Sequence, residues 1–351
     1  MSYGLKEIAE ELNMSVSTVS RALNNTGRIS PETRKKVMDT ARRHNYVPNK
    51  VAQSLRQKRT KTVGLIVPDI GDYFSSVIKG VESVLYTNGY SMFLADSREN
   101  ELKEASYIRL MYESQVDGLL LATVSKDFRW VENYESRGIP VIFFDNEPDD
   151  SVKCNKVLLN NIKASEIAVN HLVTGGHTKI ALICGNVEES TARFRKEGFI
   201  EAMKKHNLPV DPELIKEGLY YLDVGYTSMV ELINNRKEHP FTAVIVSTHT
   251  MSCSALRAIK DCGLTYPDDI AFVGFDIEDK HKLFSPSITS VLQPGEHIGE
   301  ILAQNLIRKM EEADSEEGQR MEEEVSCTVI NPVIKLGESS SRGLAGRGRG
   351  I

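Results

Sequence analysis

Several things are missing from this chain of 351 residues, and each absence removes a class of protein. No apolar run approaches the roughly 18 residues that a membrane-spanning helix requires. Residues 1–11 show no basic stretch followed by an apolar one, so no secretory leader is expected and the cytoplasm is the expected compartment. Glycine (24) and proline (12) are too sparse for a collagen-like or low-complexity chain. The five cysteines, Cys154, Cys184, Cys253, Cys262 and Cys327, are widely spaced and form no C-x-x-C. They read as unpaired thiols of a reducing compartment rather than a disulfide frame or a zinc site. G-x-S-x-G, H-E-x-x-H and phosphate-loop sequences are also lacking, and the histidines form no i, i+4 metal pair with a further ligand. No catalytic residue, metal or cofactor is therefore expected, and the chain does not read as an enzyme.

What is present is 40% hydrophobic and 26% charged, enough for two to three domains. Charge is unevenly placed. Up to Lys61 there are thirteen basic residues against five acidic ones, a net of +8; with the whole chain at −6, the remainder carries −14. A small basic head on a large acidic body points to a polyanion met by the head alone.

In the head, Leu5, Ile8, Ala9 and Leu12 recur at helical spacing and end at Asn13, a residue that tolerates the left-handed conformation of a tight turn. Ser15 is a good N-cap for a second helix with Val19, Ala22 and Leu23 inward and Val16, Ser17, Thr18 and Arg21 outward. Two short helices across a tight turn predict a helix-turn-helix, whose second helix lies in the DNA major groove. Ser30 and Pro31 start a third helix, running through Val37 and Ala41 to about His44.

From Thr62 onward, short apolar runs at 63–67, 91–95, 118–121, 141–144, 179–183, 243–246 and 270–273 read as buried parallel strands, with helix-length segments such as 75–88 and 101–114 between them. The cycle predicts an α/β body with two sheets. Ligands of such sheets sit at the carboxyl ends of the strands, which directs attention to residues 69–74, 96–98, 145–146, 186–195, 247–249 and Asp276.

The residues 5–24, from Leu5-Lys6-Glu7-Ile8 to Arg21-Ala22-Leu23-Asn24, resemble the DNA-reading signature of the lac repressor/galactose repressor family of bacterial regulators. Tyr46-Val47-Pro48-Asn49 followed by Val51-Ala52-Gln53-Ser54-Leu55 is similar to its hinge helix. Val67-Pro68-Asp69, Gln115-Val116-Asp117-Gly118, Gly176-His177, Gly274-Phe275-Asp276 and residues 289–294 match landmarks of its two-lobed periplasmic-binding-protein fold. The head departs slightly: Gly4 stands where a capping threonine is common.

The resemblance implies a head over 1–48, a hinge helix and linker over 49–61, and an effector-binding and dimerisation body over 62–338. Within the body it implies an N-lobe of about 62–160 and 292–322 and a C-lobe of about 161–290 and 323–338, with crossings near Asn161, Val291 and Glu323. It makes Val16, Ser17 and Arg21 base-reading positions and puts Thr18 and Ser20 on phosphates. Arg21 can bond guanine O6 and N7 in a bidentate way. Asn49 would cap the hinge helix, with Ala52 and Leu55 on one face. Two roles stand open for Leu55, a wedge in the minor groove and packing against its symmetry mate.

In the cleft, Arg195 and Asp276 correspond to the family's effector-binding arginine and aspartate; an inter-lobe salt bridge is the other reading of this pair. Asp145 follows a strand at the cleft edge. Tyr73, Phe74 and Tyr220 align with aromatic walls, although core packing is the commoner fate of such side chains. Thr248-His249 replaces the usual Asn-Asp or Ser-Asp, and Asn160-Asn161 the usual Asp-Asn. Two positions acidic in sugar-binding clefts are thereby neutral, which points away from a common neutral sugar. His249 reads either as a partner for an unusual ligand or as a solvated loop residue.

The expected protein is a homodimeric repressor of a palindromic operator in double-stranded DNA, controlled by a small, carbohydrate-derived effector. The alternative is control by a protein co-regulator of the phosphocarrier type. Residues 339–351, rich in glycine and arginine, read as a disordered tail.

Overall fold

The structure is a computed structural model and describes residues 4–24, 26–46, 59–148, 152–218, 222–278, 283–314 and 325–341. The chain divides into two units, Met1–Thr60 and Lys61–Ile351. In the first, α1 (Leu5–Glu11), α2 (Val16–Leu23) and α3 (Pro31–Arg43) enclose a small core built on Ile8, Val19 and Val37, each fully buried. Asn13 takes the left-handed conformation (φ 51°) that turns α1 into α2, and the Met14 N–H donates to the Ala9 carbonyl at 2.9 Å. Ser15 and Ser30 cap α2 and α3 by accepting from the N–H groups of Thr18 (3.1 Å) and Thr33 (3.2 Å), contacts worth ~1 kcal/mol each. At α1 the absent capping hydroxyl is partly replaced: the Gly4 N–H donates to Glu7 Oε2 at 2.9 Å.

The second unit contains β1 (Thr62–Val67), β2 (Ser91–Asp96), β3 (Gly118–Leu121), β4 (Val141–Phe144), β5 (Asn155–Leu159), β6 (Ile180–Cys184), β7 (Ile215–Glu217), β8 (Ala243–Val246), β9 (Ala271–Phe275), β10 (Thr289–Leu292), β11 (Cys327–Ile330) and β12 (Val333–Lys335). Its helices are α4 (Asp72–Thr87), α5 (Glu101–Glu113), α6 (Val131–Glu135), α7 (Asn161–Thr174), α8 (Ser190–Lys205), α9 (Leu222–Asn234), α10 (His249–Asp261) and α11 (Gly295–Asp314). The strands form two six-stranded sheets, ordered β11-β5-β4-β3-β1-β2 and β12-β10-β9-β8-β6-β7. All pairings are parallel except β10 with β12. β3, β4, β6, β8 and β9 are buried at every residue, which is why each appears as an unbroken apolar run. α4 and α11 approach closely on the first sheet: a Cβ added to Gly80 would lie 2.0 Å from the Glu296 carbonyl oxygen, and one on Gly299 2.1 Å from that of Val77.

The chain passes between the sheets after β5, after β10 and after β11. The third passage falls at Asn331-Pro332 rather than near Glu323, which lies outside the described residues. β11 pairs with β5 in register Cys327 to Lys156 through Ile330 to Leu159, so it belongs to the first sheet and not to the C-lobe where 323–338 was expected. A short, half-exposed edge strand carries no pattern that says which of two sheets it joins.

The expected tail starts later than residue 339. Ser339 and Ser340 are buried in a short turn (Glu338–Ser340) against the second sheet. Ser339 Oγ donates to the Phe272 carbonyl at 2.7 Å and accepts from the Thr289 N–H at 2.9 Å. Ser340 Oγ meets Thr289 Oγ1 at 2.5 Å and His171 Nε2 at 2.7 Å. These serines satisfy backbone and side-chain groups at the sheet's edge, a role their composition alone does not reveal.

Candidate ligand cleft and nucleic-acid-reading helix

The three positions expected to read bases lie exposed on the outer face of α2. Val16 is 42% exposed, and Ser17 and Arg21 are exposed on the same short helix. Thr18 and Ser20 are half-buried and locally bonded: Thr18 Oγ1 meets Ser15 Oγ at 2.8 Å, and Ser20 Oγ accepts from Asn24 Nδ2 at 3.3 Å. Asn49, Ala52 and Leu55, and Tyr220 of the cleft set, lie outside the described residues.

In the second unit, a cavity of about 560 Å³ opens at the carboxyl ends of the strands of both sheets. Asp69 follows β1, Glu99 follows β2, Asp145 follows β4, Arg195 lies on the helix after β6, Thr248 and His249 follow β8, Asp276 follows β9 and Gln293 follows β10. Asp145 (φ 65°) and Asp276 (φ 54°) leave their strands in the left-handed conformation, the same turn at matching places in the two sheets. The lobes touch around the cavity through Lys126 and Glu188 (2.8 Å), through His249 and Asp72 (3.5 Å), and through Asn146 Oδ1, which accepts from Thr191 Oγ1 at 3.2 Å.

Arg195 is 5% exposed and held from its own lobe. Its Nε donates to Asn161 Oδ1 at 2.8 Å, its Nη1 donates to the Ser247 carbonyl at 2.6 Å, and its guanidinium lies 5.0 Å from the Phe275 ring centre. Asp276 is held by Gln293, whose backbone N–H donates to Oδ1 at 3.0 Å and whose Nε2 donates to Oδ2 at 2.8 Å. The inter-lobe salt bridge considered for this pair is therefore not made. Each side chain is tied within the second sheet's elements or to the strand β10 that ends there.

Tyr73 and Phe74 both line the cavity, with ring centres 4.9 Å apart. Phe74 is largely a core residue, 7% exposed and set edge-on to Phe144. Burial, then the nearby Asp145 and Asp276, raise the Tyr73 hydroxyl well above the usual phenol range. His249 is not a free loop residue. Its pKa is pushed up to about 9, first by its contact with Cys253 Sγ (3.7 Å) and also by the Asp276 carbonyl, which accepts from Nδ1 at 3.0 Å.

The cleft as a whole is acidic, although the two positions expected to be neutral carry no acid. Asp69, Asp72, Glu99, Glu101, Asp145, Glu189 and Asp276 all line it. Asn160 is not among the lining residues; its Oδ1 caps α7 by accepting from the Lys163 N–H at 3.0 Å, so that departure concerns a helix end. Desolvation and neighbouring carboxylates push Asp145 up to about 7 and Glu99 to about 7, and desolvation also raises Asp69 and Asp276. Glu99 and Gln293 were not singled out from sequence as ligand residues. The signal that could have found them is position, since each follows a strand end by one to three residues. Among the described residues, no group of histidine, cysteine or acidic side chains could hold a metal ion.

Comparison with known proteins agrees with this arrangement. Residues 4–49 match the family described as bacterial regulatory proteins, lacI family, and residues 169–331 match the periplasmic binding protein-like domain. The chain is 30% identical over 327 residues to the HTH-type transcriptional repressor CytR of Escherichia coli, covering 93% of this chain and 94% of that one. It is 32% identical over 312 residues to catabolite control protein A of Priestia megaterium, covering 88% and 93%. Among solved structures, the lac repressor dimer bound to operator and an anti-inducer superimposes with a TM-score of 0.81 at 23% identity, over 96% of this chain and 98% of that one. A complex of the transcriptional regulator CelR with cellobiose gives 0.70 at 26% identity, over 95% and 99%.

Proposed function

The chain belongs to the lacI family of bacterial regulatory proteins, and from that premise we propose that it is a cytoplasmic repressor whose homodimer releases or grips a palindromic operator according to a small effector in the cleft. The family consists of DNA-binding regulators rather than enzymes. The observation that carries the proposal is the pairing of two parts in one chain. A basic helix-turn-helix exposes Val16, Ser17 and Arg21, and a cavity of about 560 Å³ is floored by Arg195 and Asp276 at the strand ends of two lobes.

Arg21 reads guanine, Val16 offers apolar contact to a thymine methyl, and Ser17 adds a hydroxyl contact. Thr18 and Ser20 serve phosphates, and the hinge positions Asn49, Ala52 and Leu55 act at the operator centre. In the cleft, Arg195, Asp276, Asp145, Tyr73, Phe74, His249 and Tyr220 form the effector set. A twofold operator needs a twofold protein. In support of a dimer, Phe93 (47% exposed) and Leu94 (40%) on the edge strand β2, and Tyr86 and Leu102 on the helices flanking it in sequence, leave apolar surface uncovered in the single chain. The effector regulates by binding one arrangement of the lobes better than the other, and equal affinity for both changes nothing.

The test is selection of duplexes from a random pool by the full-length protein, followed by operator titration. A palindrome is expected, with Arg21→Ala relaxing base preference at one symmetric pair of positions. Recovery of sequences without twofold symmetry counts against the proposal. The co-regulator alternative predicts instead that no small molecule alters operator affinity.

A further inference from the structure

The polar chemistry of the cleft is unbalanced, and the imbalance is in one direction. Along one wall stand Asp69, Glu99 and Asp145, and each charged group that acts on Glu99 is itself a carboxylate. The side-chain oxygens of Glu99 and Asp145 have no hydrogen-bond donor among the described residues. A third acceptor is left over on the opposite lobe's strand end. Gln293 donates through Nε2 to Asp276, which fixes its amide so that Oε1 is turned away, and that oxygen is fully buried with no partner.

The two cations in the cavity are partly committed to the protein itself. Arg195 spends Nε on Asn161 and Nη1 on the Ser247 carbonyl, and His249 sits between the Asp276 carbonyl and the Asp72 carboxylate at 3.5 Å. Two cations stand against seven carboxylates in the lining, so the cavity is short of positive charge.

We propose that the ligand of this cleft carries a protonated amine, as an amino sugar does, and that its ammonium group seats against Asp69, Glu99 and Asp145. The assignment rests on the effector reading of the cleft and names the chemical class of that effector. A hydroxyl brings one donor together with acceptor lone pairs, so a plain polyol returns roughly as many acceptors as it satisfies; an ammonium brings three donors and no acceptor. A phosphate or carboxylate on the ligand adds acceptors and negative charge to a wall of three carboxylates, where Arg195 is the one cation acting on Asp145 and none acts on Glu99. The cavity volume of about 560 Å³ suits a single sugar ring or a molecule somewhat larger. Its remaining lining, with Tyr73 and Phe74 on one side and Arg195 on the other, serves the uncharged frame.

Calorimetric titration of the full-length protein with matched sets decides the matter: D-glucose, D-glucosamine and D-gluconate, the corresponding galactose and mannose sets, and putrescine as an amine without a sugar frame. Amine members are expected to bind at least a hundredfold more tightly than their neutral and acidic counterparts. Their affinity should fall with added salt and as rising pH removes the ammonium proton. Binding at pH 7 should release protons to the buffer, read from titrations in buffers of different ionisation enthalpy, because a cation beside Glu99 and Asp145 drives both to the carboxylate form. Glu99→Gln, which keeps the side chain's size and removes its charge, should weaken the amine at least tenfold, and Asp145→Asn likewise. A neutral or acidic member that binds as tightly, and is lost in Arg195→Ala, overturns the amine assignment while the effector reading stands. Absence of binding by every compound counts against both.

Discussion

Removing one carboxylate from the cleft wall should make the unliganded protein more stable at neutral and alkaline pH. Asp145 has a folded pKa of about 7 against an ordinary value of 3.8, raised first by desolvation, with Glu189, Asp276 and Asp69 adding to it and Arg195 opposing. A folded pKa above the unfolded one means that the native state holds the extra proton through the interval between them, so stability is lost as pH rises from about 4 to about 7. Each pKa unit is worth about 1.4 kcal/mol, and three units give an upper limit of about 4 kcal/mol; solvent in the open cavity reduces this to roughly 1–2 kcal/mol. For a body of this size that corresponds to about 2–4 °C in melting temperature. Scanning calorimetry of wild type and Asp145→Asn from pH 5 to pH 8.5 reads it directly. The variant should melt higher than wild type at pH 8.5, with the difference shrinking toward pH 5. A variant that melts lower at pH 8.5, or whose slope with pH equals that of wild type, refutes the reasoning.

Other outcomes follow from the packing. Ser339→Ala leaves the buried Thr289 N–H without its acceptor and should cost about 1–3 kcal/mol, seen as a lower melting temperature of the body; an unchanged melting temperature would remove the anchoring role of the last described turn. Gly299→Ala places a Cβ 2.1 Å from the Val77 carbonyl, a backbone atom that cannot swing aside, so α4 and α11 must separate and soluble yield and melting temperature should both fall. Normal yield and melting temperature contradict that close approach. Ser15→Ala removes the cap of α2, costing about 1 kcal/mol, and should weaken operator binding in gel shifts while leaving the melting of the body untouched. Operator binding at wild-type strength speaks against the role of the cap.

Sequence and structure agree most closely where burial is complete. β1, β3, β4, β6, β8 and β9 occupy the apolar runs within a residue or two, because a strand covered on both faces leaves no alternation and little room for polar side chains. The head is equally legible, since Asn13, Ser15, Ser30 and Pro31 each mark a helix end by a local mechanism. β5, β7, β11 and β12 were harder. They are short and partly exposed, and their membership of a sheet depends on pairing with strands far away in sequence. β11 joins β5 across more than 160 residues, and no local pattern records that.

The cleft shows the same division. Asp145, Arg195 and Asp276 could be placed because strand ends define where ligands sit. Its charge could not, because the acidity is a sum over Asp69, Glu99, Asp145, Glu189 and Asp276, residues scattered across some two hundred positions that meet only in the fold. Of the two substitutions that look like losses of acid in the linear chain, Asn160 turns out to be the cap of α7, while His249, the first residue of α10, stays in the cleft with its Nδ1 on the Asp276 carbonyl. A departure from a family pattern is thus informative only after its hydrogen-bond partner is known.

The central claim, that occupancy of the cleft controls operator binding, is tested most directly by fluorescence anisotropy of a labelled selected operator titrated with the full-length protein, with and without a ligand that calorimetry has shown to bind. The account predicts that the ligand shifts operator affinity by tenfold or more, about 1.4 kcal/mol. It also predicts that Asp276→Asn, which loses ligand binding, retains the unliganded affinity and no longer responds. Operator affinity that stays the same while the ligand saturates the cleft contradicts it.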